Sequence, residues 1–329
     1  MHCPRRILVA IKDPGAVSLP AVAKAARIAR ACGAHLELFH AIRACVYADT
    51  AAAYEEALRD LQGTQRRQYL QRLGRIAARL RLHGINVSTA VEYDYPAYDA
   101  IVRRAELIKA DLIVVRRHNE SHSVPGLLRL TDWELLRHSP LPVLLVKRSG
   151  PYRHPNVLAA VDPCHAHSKP AQLDREILGE ASLLAQALQG KLHVVHAYAP
   201  VVIAGAATSP SAAAAARLDA IASSKARAQL EVLLRGSDIP QARSHLIGGF
   251  PAEVINGVAR RIRAHIVVMG ALSRSGLQRL FVGNTAERLL DQLPCDLLIV
   301  KPAEFVSQVS LECRGPRLLA RTPTPFSRA

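Results

Sequence analysis

Ala264-His265-Ile266-Val267-Val268-Met269-Gly270 is a short apolar run that closes on a glycine, and 154 residues earlier the chain reads Ala110-Asp111-Leu112-Ile113-Val114-Val115-Arg116. Both runs are β-branched, too short for a buried helix and bounded by charged or turn-forming residues, which predicts fully buried strands. The separation holds further along the chain. Leu144, Val146 and Lys147 meet Leu298, Val300 and Lys301, while Thr131, Leu135, Leu136 and Pro140 meet Thr285, Leu289, Leu290 and Pro294. A gap-free register of this kind predicts tandem copies of one domain.

Working outward, strands are predicted at Arg6–Ile11, Leu36–Ile42, Asn86–Glu92, Leu112–Val115 and Val143–Lys147. The second half repeats them at Val157–Val161, Leu192–Ala197, Arg243–Ile247, Ile266–Met269 and Leu297–Lys301. Segments with helical apolar spacing, such as Leu70, Leu73, Ala77 and Leu80, fill the gaps. Strands alternating with helices predict an α/β fold, here two tandem, doubly wound, parallel five-stranded sheets. The expected domains are residues 1–150 and 151–303. A breaker-rich linker at Ser149–Pro155 joins them, and a disordered tail over 304–329 follows.

The 329 residues suit two domains, and the composition, 50% hydrophobic with 21% charged, suits two packed cores. Aromatic residues make up 4%, which disfavours a stacking platform for single-stranded nucleic acid. The net charge of +16 raises the question of a polyanionic partner. The excess is spread over both halves and the tail, as helical faces such as Arg27/Arg30, Arg66/Arg67, Arg72/Arg75/Arg79 and Arg260/Arg261/Arg263. These read as solvated or paired faces, so nucleic acid is not expected as the main partner. Six cysteines without a C-x-x-C spacing suit a reducing cytoplasm. Lys12-Asp13-Pro14 ends the first apolar run short of an export signal, and Pro200, Gly205, Ser209 and Pro210 break the most apolar stretch, so no membrane association is expected.

In a doubly wound sheet the ligand site lies outside the carboxyl ends of the strands, where strand order reverses. Strand four of the second half leads there, into Met269-Gly270-Ala271-Leu272-Ser273-Arg274-Ser275-Gly276 and then Gly283-Asn284-Thr285 at a helix start. Glycines allow a sharp turn and close backbone approach, the helix start offers free N–H groups to an anion, and Ser273 and Ser275 add hydroxyl donors. The same stretch also reads as an ordinary strand-to-helix loop. Asp162, following Ala160-Val161, places a carboxylate at the neighbouring strand tip, either to accept from a ribose hydroxyl or base amine or to cap a turn.

These residues resemble the universal stress protein family in its tandem form. The resemblance runs from Arg6 to Pro302 and rests on Val268-Met269-Gly270, Gly270-x-x-Ser273-x9-Gly283-Asn284, Thr285-Ala286-Glu287 and Asp296 to Pro302, with Thr131-Asp132-Trp133 in the first half. It implies an ATP site in the second domain, possible Mg2+ included. Base and ribose are then expected near Asp162 and Ala197 and phosphates against Gly270, Ser273, Gly283 and Asn284, with Met269 and Thr285 also among the binding residues. The ATP-binding branch has glycine where Ser273 stands and a hydroxyl residue where Asn284 stands. The resemblance also implies association through the last strands, within the chain or as a homodimer, and a stress sensor or regulator in the cytoplasm.

In the first half Gly270, Gly276 and Gly283 map to Arg116, His122 and Arg129, Ser273 maps to Asn119, and Asp162 has only the shifted Asp13. A degenerate structural copy is the expectation, and an anion gripped by Arg116, Arg117 and Arg129 is the alternative. Cys164-His165-Ala166-His167, with His154 nearby, has weak metal spacing, and His193 and His196 should point to opposite faces of their strand. Neither an esterase elbow nor a phosphate loop with a seated lysine occurs, so bound ATP is expected to be held or hydrolysed slowly, with no catalytic residue assigned. A lipid or other apolar ligand beside the Ala204–Ala222 stretch, with Leu218 and Ile221, is the remaining alternative.

Overall fold

The computed structural model describes residues 3–42, 45–47, 55–117, 130–164, 171–200, 211–271, 292–313 and 317–319. The first repeat contains β1 (Arg6–Ala10), α1 (Pro20–Cys32), β2 (His35–Ile42), β3 (Cys45–Tyr47), α2 (Glu55–Leu82), β4 (Val87–Tyr93), α3 (Ala97–Leu107), β5 (Leu112–Arg116), α4 (Leu130–His138) and β6 (Val143–Val146). The second contains β7 (Asn156–Val161), α5 (Ala171–Ala187), β8 (Lys191–Tyr198), α6 (Ser211–Leu234), β9 (Ser244–Gly248), α7 (Pro251–Arg261), β10 (Ile266–Gly270) and β11 (Asp296–Val300). A last strand, β12 (Arg317–Leu319), follows.

Two compact units form, one from Pro4–Ser139 with the described residues after Val306, the other centred on Pro140–Val306. In the first, the parallel strands run in the order β4-β2-β1-β5, with Ile7 opposite both Leu36 and Leu112. In the second the order is β6-β11-β10-β7-β8-β9, with Val157 opposite Leu192 and Val268 opposite both Ala159 and Leu298. Fully buried Ile7, Leu8, Val157, Leu158, Val267 and Val268 explain why the strands are continuous apolar runs rather than alternating ones. Helices bury a stripe against them, as α5 does with Leu173, Ile177, Ala181 and Leu184.

Two details of the strand pairing and of the last segment matter for the units. Val143–Val146, the last strand of the first repeat, packs in the second unit, antiparallel to β11, the last strand of the second, with Leu145 opposite Leu297 and Leu144 opposite Leu298, the association of last strands within the chain that the resemblance implied. All four residues of β6 are buried, so the strand needs a partner, and the equally apolar last strand of the other repeat supplies it. The unit thus holds five parallel strands and one antiparallel strand.

The described residues after Val306 make specific contacts. Arg103 Nε donates to the Ser310 carbonyl at 2.9 Å, and Ser307 Oγ donates to the His138 carbonyl at 2.9 Å. Arg317–Leu319 pairs in parallel with Cys45–Tyr47. This segment has no hydrophobic period because backbone groups far away in the sequence hold it.

Candidate functional site

At the carboxyl edge of the second unit, β7 is flanked by β10 on one side and β8 on the other, with Ala160 opposite both Met269 and Val195 and Val161 opposite His196. From β7 the chain winds one way through β8 and β9 and then crosses to β10 on the other side. The gap between β7 and β10 is therefore the switch point of the sheet, where neighbouring connections diverge and leave a crevice. Of the predicted site residues, Asp162, Ala197, Met269 and Gly270 come together at this edge. Ser273, Gly283, Asn284 and Thr285 lie outside the described residues, as do His165 and His167.

Asp162 leaves the β7 tip with its N–H donated to Asp174 Oδ1 at 2.9 Å. Asp174 is buried in the first turn of α5, so the start of that helix fixes the loop. The Asp162 side chain is half-buried, and no described residue donates to its carboxylate. Among the described residues that carboxylate caps no backbone N–H group. Asp13, its shifted relative in the first unit, is occupied differently: its Oδ1 accepts the Gly15 N–H at 2.7 Å, closing a local turn.

Gly270 also makes room for a helix. A Cβ there would lie 2.7 Å from Leu173 Cδ2 and 3.1 Å from Ile177 Cδ1, so the missing side chain is what lets α5 close onto β10. Met269 is buried in the core, and Ala197 is half-buried at the β8 tip.

His196 was missed as a site residue. It is buried, and its Nδ1 lies 3.2 Å from the Val161 carbonyl, which can only accept. Nδ1 therefore carries a proton, and Nε2 lies 3.3 Å from Cys164 Sγ. Burial first, and then Asp162 and Asp174, push the Cys164 thiol up, with Lys225 opposing, so it stays protonated at neutral pH. The first unit repeats the clasp: His40 Nδ1 donates to the Ile11 carbonyl at 2.8 Å. His40 and His196 each stand four residues after the leucine opposite Ile7 or Val157, a signal visible in sequence once the two β2-type strands are aligned.

His193 lies on the other face of β8, stacked on His245 with ring centroids 5.5 Å apart, as the alternation of a strand requires. Arg261 Nη2 is 3.3 Å from His245 Nδ1, and His193 Nδ1 is 3.3 Å from His245 Nε2. Among the described residues no three His, Cys, Asp or Glu side chains converge on a metal position. Leu218 and Ile221, expected beside an apolar cleft, are 49% and 62% exposed on α6. No described helix is long and apolar enough to cross a membrane.

A profile of the universal stress protein family matches residues 4–147 and 155–301. Universal stress protein E of Salmonella typhi is 30% identical over 230 residues, covering 70% of this chain and 73% of its own length. Universal stress protein E of Photorhabdus laumondii is 28% identical over 305 residues, 91% of this chain and 95% of its own. A crystal structure of a functionally unknown protein from Pseudomonas aeruginosa superposes with a TM-score of 0.69 at 26% identity, covering 92% of this chain and 94% of that one. With two matched domains and relatives of this length, the chain belongs to the universal stress protein family and is a tandem-domain member of it.

Proposed function

We propose that the second domain binds an adenine nucleotide, ATP with or without Mg2+, at the carboxyl edge of β10, β7 and β8, and that the protein works as a cytoplasmic stress sensor or regulator rather than through turnover. The observation that carries this reading is the Asp162 carboxylate, which stands at the switch point where Asp174 Oδ1 accepts the Asp162 backbone N–H, yet has no donor of its own among the described residues. It suits the two hydroxyls of a ribose. Ala197 at the next strand tip presents only a methyl group, which suits a flat base beside it. The phosphates are assigned to Gly270, Ser273, Gly283 and Asn284, with Thr285 beside them, and homodimerisation belongs to the same reading.

Equilibrium dialysis of the full chain with ATP, in the presence and absence of Mg2+, tests it. Wild type binds, and Asp162→Ala weakens binding at least about tenfold, the loss expected for one charge-assisted hydrogen bond. Gly283→Asp, which sets a carboxylate against the phosphates, abolishes it. Absence of binding by wild type, or unchanged binding by both variants, refutes the assignment. Phosphate release in the same samples separates holding from slow hydrolysis.

A further inference from the structure

We infer that the solvent face of α2 is a docking surface for the phosphate backbone of duplex DNA. From Leu61 to Leu82 this helix carries six arginines and no carboxylate, and the next acidic residue in the chain is Glu92. At helical spacing Arg67, Gln68, Gln71, Arg72, Arg75 and Arg79 fall on one side, and all six are exposed. Leu73, Ile76 and Ala77 are buried on the other side and hold the helix to the sheet.

Sequence alone left these arginines as solvated or paired. The structure removes the pairing. Arg75 and Arg79 have no hydrogen-bond or ion-pair partner among the described residues, and Arg67 reaches a neutral one, Thr64 Oγ1, at 3.0 Å. Arg72 lies 5.7 Å over the Tyr69 ring, which orients it without neutralising it. Arg66 and Arg81 turn away to the Val91 and Val87 carbonyls of β4. The duplicate domain supplies an internal control. Over its whole length α2 carries seven arginines against Glu55, Glu56 and Asp60, whereas helix α6, in the same place between the second and third parallel strands, carries only Arg217, Lys225 and Arg227 against Asp219 and Glu231. The fold therefore does not require an unbalanced basic helix here.

From Arg67 to Arg79 the helix rises about 18 Å, or roughly five base-pair steps of a duplex strand, so four guanidinium groups can follow successive phosphates. Gln68 and Gln71 add neutral hydrogen-bonding groups among them. A lipid surface fits less well, because between Arg67 and Arg79 the exposed face offers a single small apolar side chain, Ala78. Single strands fit less well too, since Tyr69 is part-buried and packs on His40 with centroids 4.4 Å apart, leaving no exposed ring for a base.

Fluorescence anisotropy of the full chain with a labelled duplex DNA, titrated from about 50 mM to about 200 mM salt, tests the surface. Four phosphate contacts predict that Arg67→Gln/Arg72→Gln/Arg75→Gln/Arg79→Gln flattens the slope of log K against log salt by about 3.6, and erases roughly 150-fold of salt-dependent affinity over that range. Arg217→Gln/Arg227→Gln on α6 leaves the slope close to that of wild type. The substituted side chains are exposed, and an unchanged melting temperature verifies folding. If the quadruple variant keeps the wild-type slope, if both variants lose equally, or if wild type binds phosphatidylglycerol vesicles but not the duplex, the inference is wrong.

Discussion

The Tyr152 hydroxyl donates to Asp296 Oδ2 at 2.5 Å, with both side chains buried, while Asp296 Oδ1 accepts the backbone N–H groups of Lys147 at 2.9 Å and Arg148 at 3.1 Å. One carboxylate at the start of β11 thus ties down the segment that joins the two repeats. It holds both the chain leaving β6 and the aromatic residue ahead of β7.

Removing this acceptor leaves a buried hydroxyl and two amides short of partners. Asp296→Ala is expected to destabilise the second unit by roughly 3 kcal/mol, and Tyr152→Phe by about 1–2 kcal/mol, read from denaturant midpoints. Burial first, and then Asp296, raise the Tyr152 phenol well above its usual value. Because the folded pKa exceeds the unfolded one, this contribution is present below about pH 10 and is lost as pH rises beyond that point. Alkaline unfolding that begins equally early in wild type and Tyr152→Phe contradicts the assignment.

The stacked His193–His245 pair predicts an acid limb. Burial is the largest cause lowering both rings, and His193, further depressed by His245, Arg243 and Lys191, sits at about 4. The unfolded chain binds these protons near pH 6.5 and the folded chain does not, so stability is complete above about 6.5 and falls toward pH 4. Thermal melts across that window should show a shallower decline in His193→Phe/His245→Phe than in wild type. Parallel pH profiles for the two proteins place the titration elsewhere.

Three glycines should respond differently to alanine. At Gly190 a Cβ would stand 2.1 Å from the Pro155 carbonyl oxygen, a backbone atom that cannot swing aside, so Gly190→Ala costs about 2–3 kcal/mol. At Gly270 the obstacles are the Leu173 and Ile177 side chains, which can shift, and the cost is about 1 kcal/mol. Gly74, inside α2 with nothing within 4 Å, gains about 0.5–1 kcal/mol from helix propensity. The ranking, measured by chemical denaturation, fails if Gly190→Ala is the mildest of the three.

Local chemistry made much of this protein legible in its sequence. Buried parallel strands write themselves as runs such as Ile266–Met269, and the Lys147–Lys301 spacing exposes the duplication, because each copy must solve the same packing problem. The place of Asp162 at a strand tip follows from the same periodicity. Only the tertiary structure decided what depends on partners distant in the chain. It set the antiparallel register of β6 on β11, seated residues 307–313 on the first unit, and gave Gly270 a part in the closure of α5. It also turned His40 and His196 toward the carbonyls that end the first strand of each copy. Those outcomes rest on which buried polar group or apolar edge meets which other one, and residue period carries no record of such meetings.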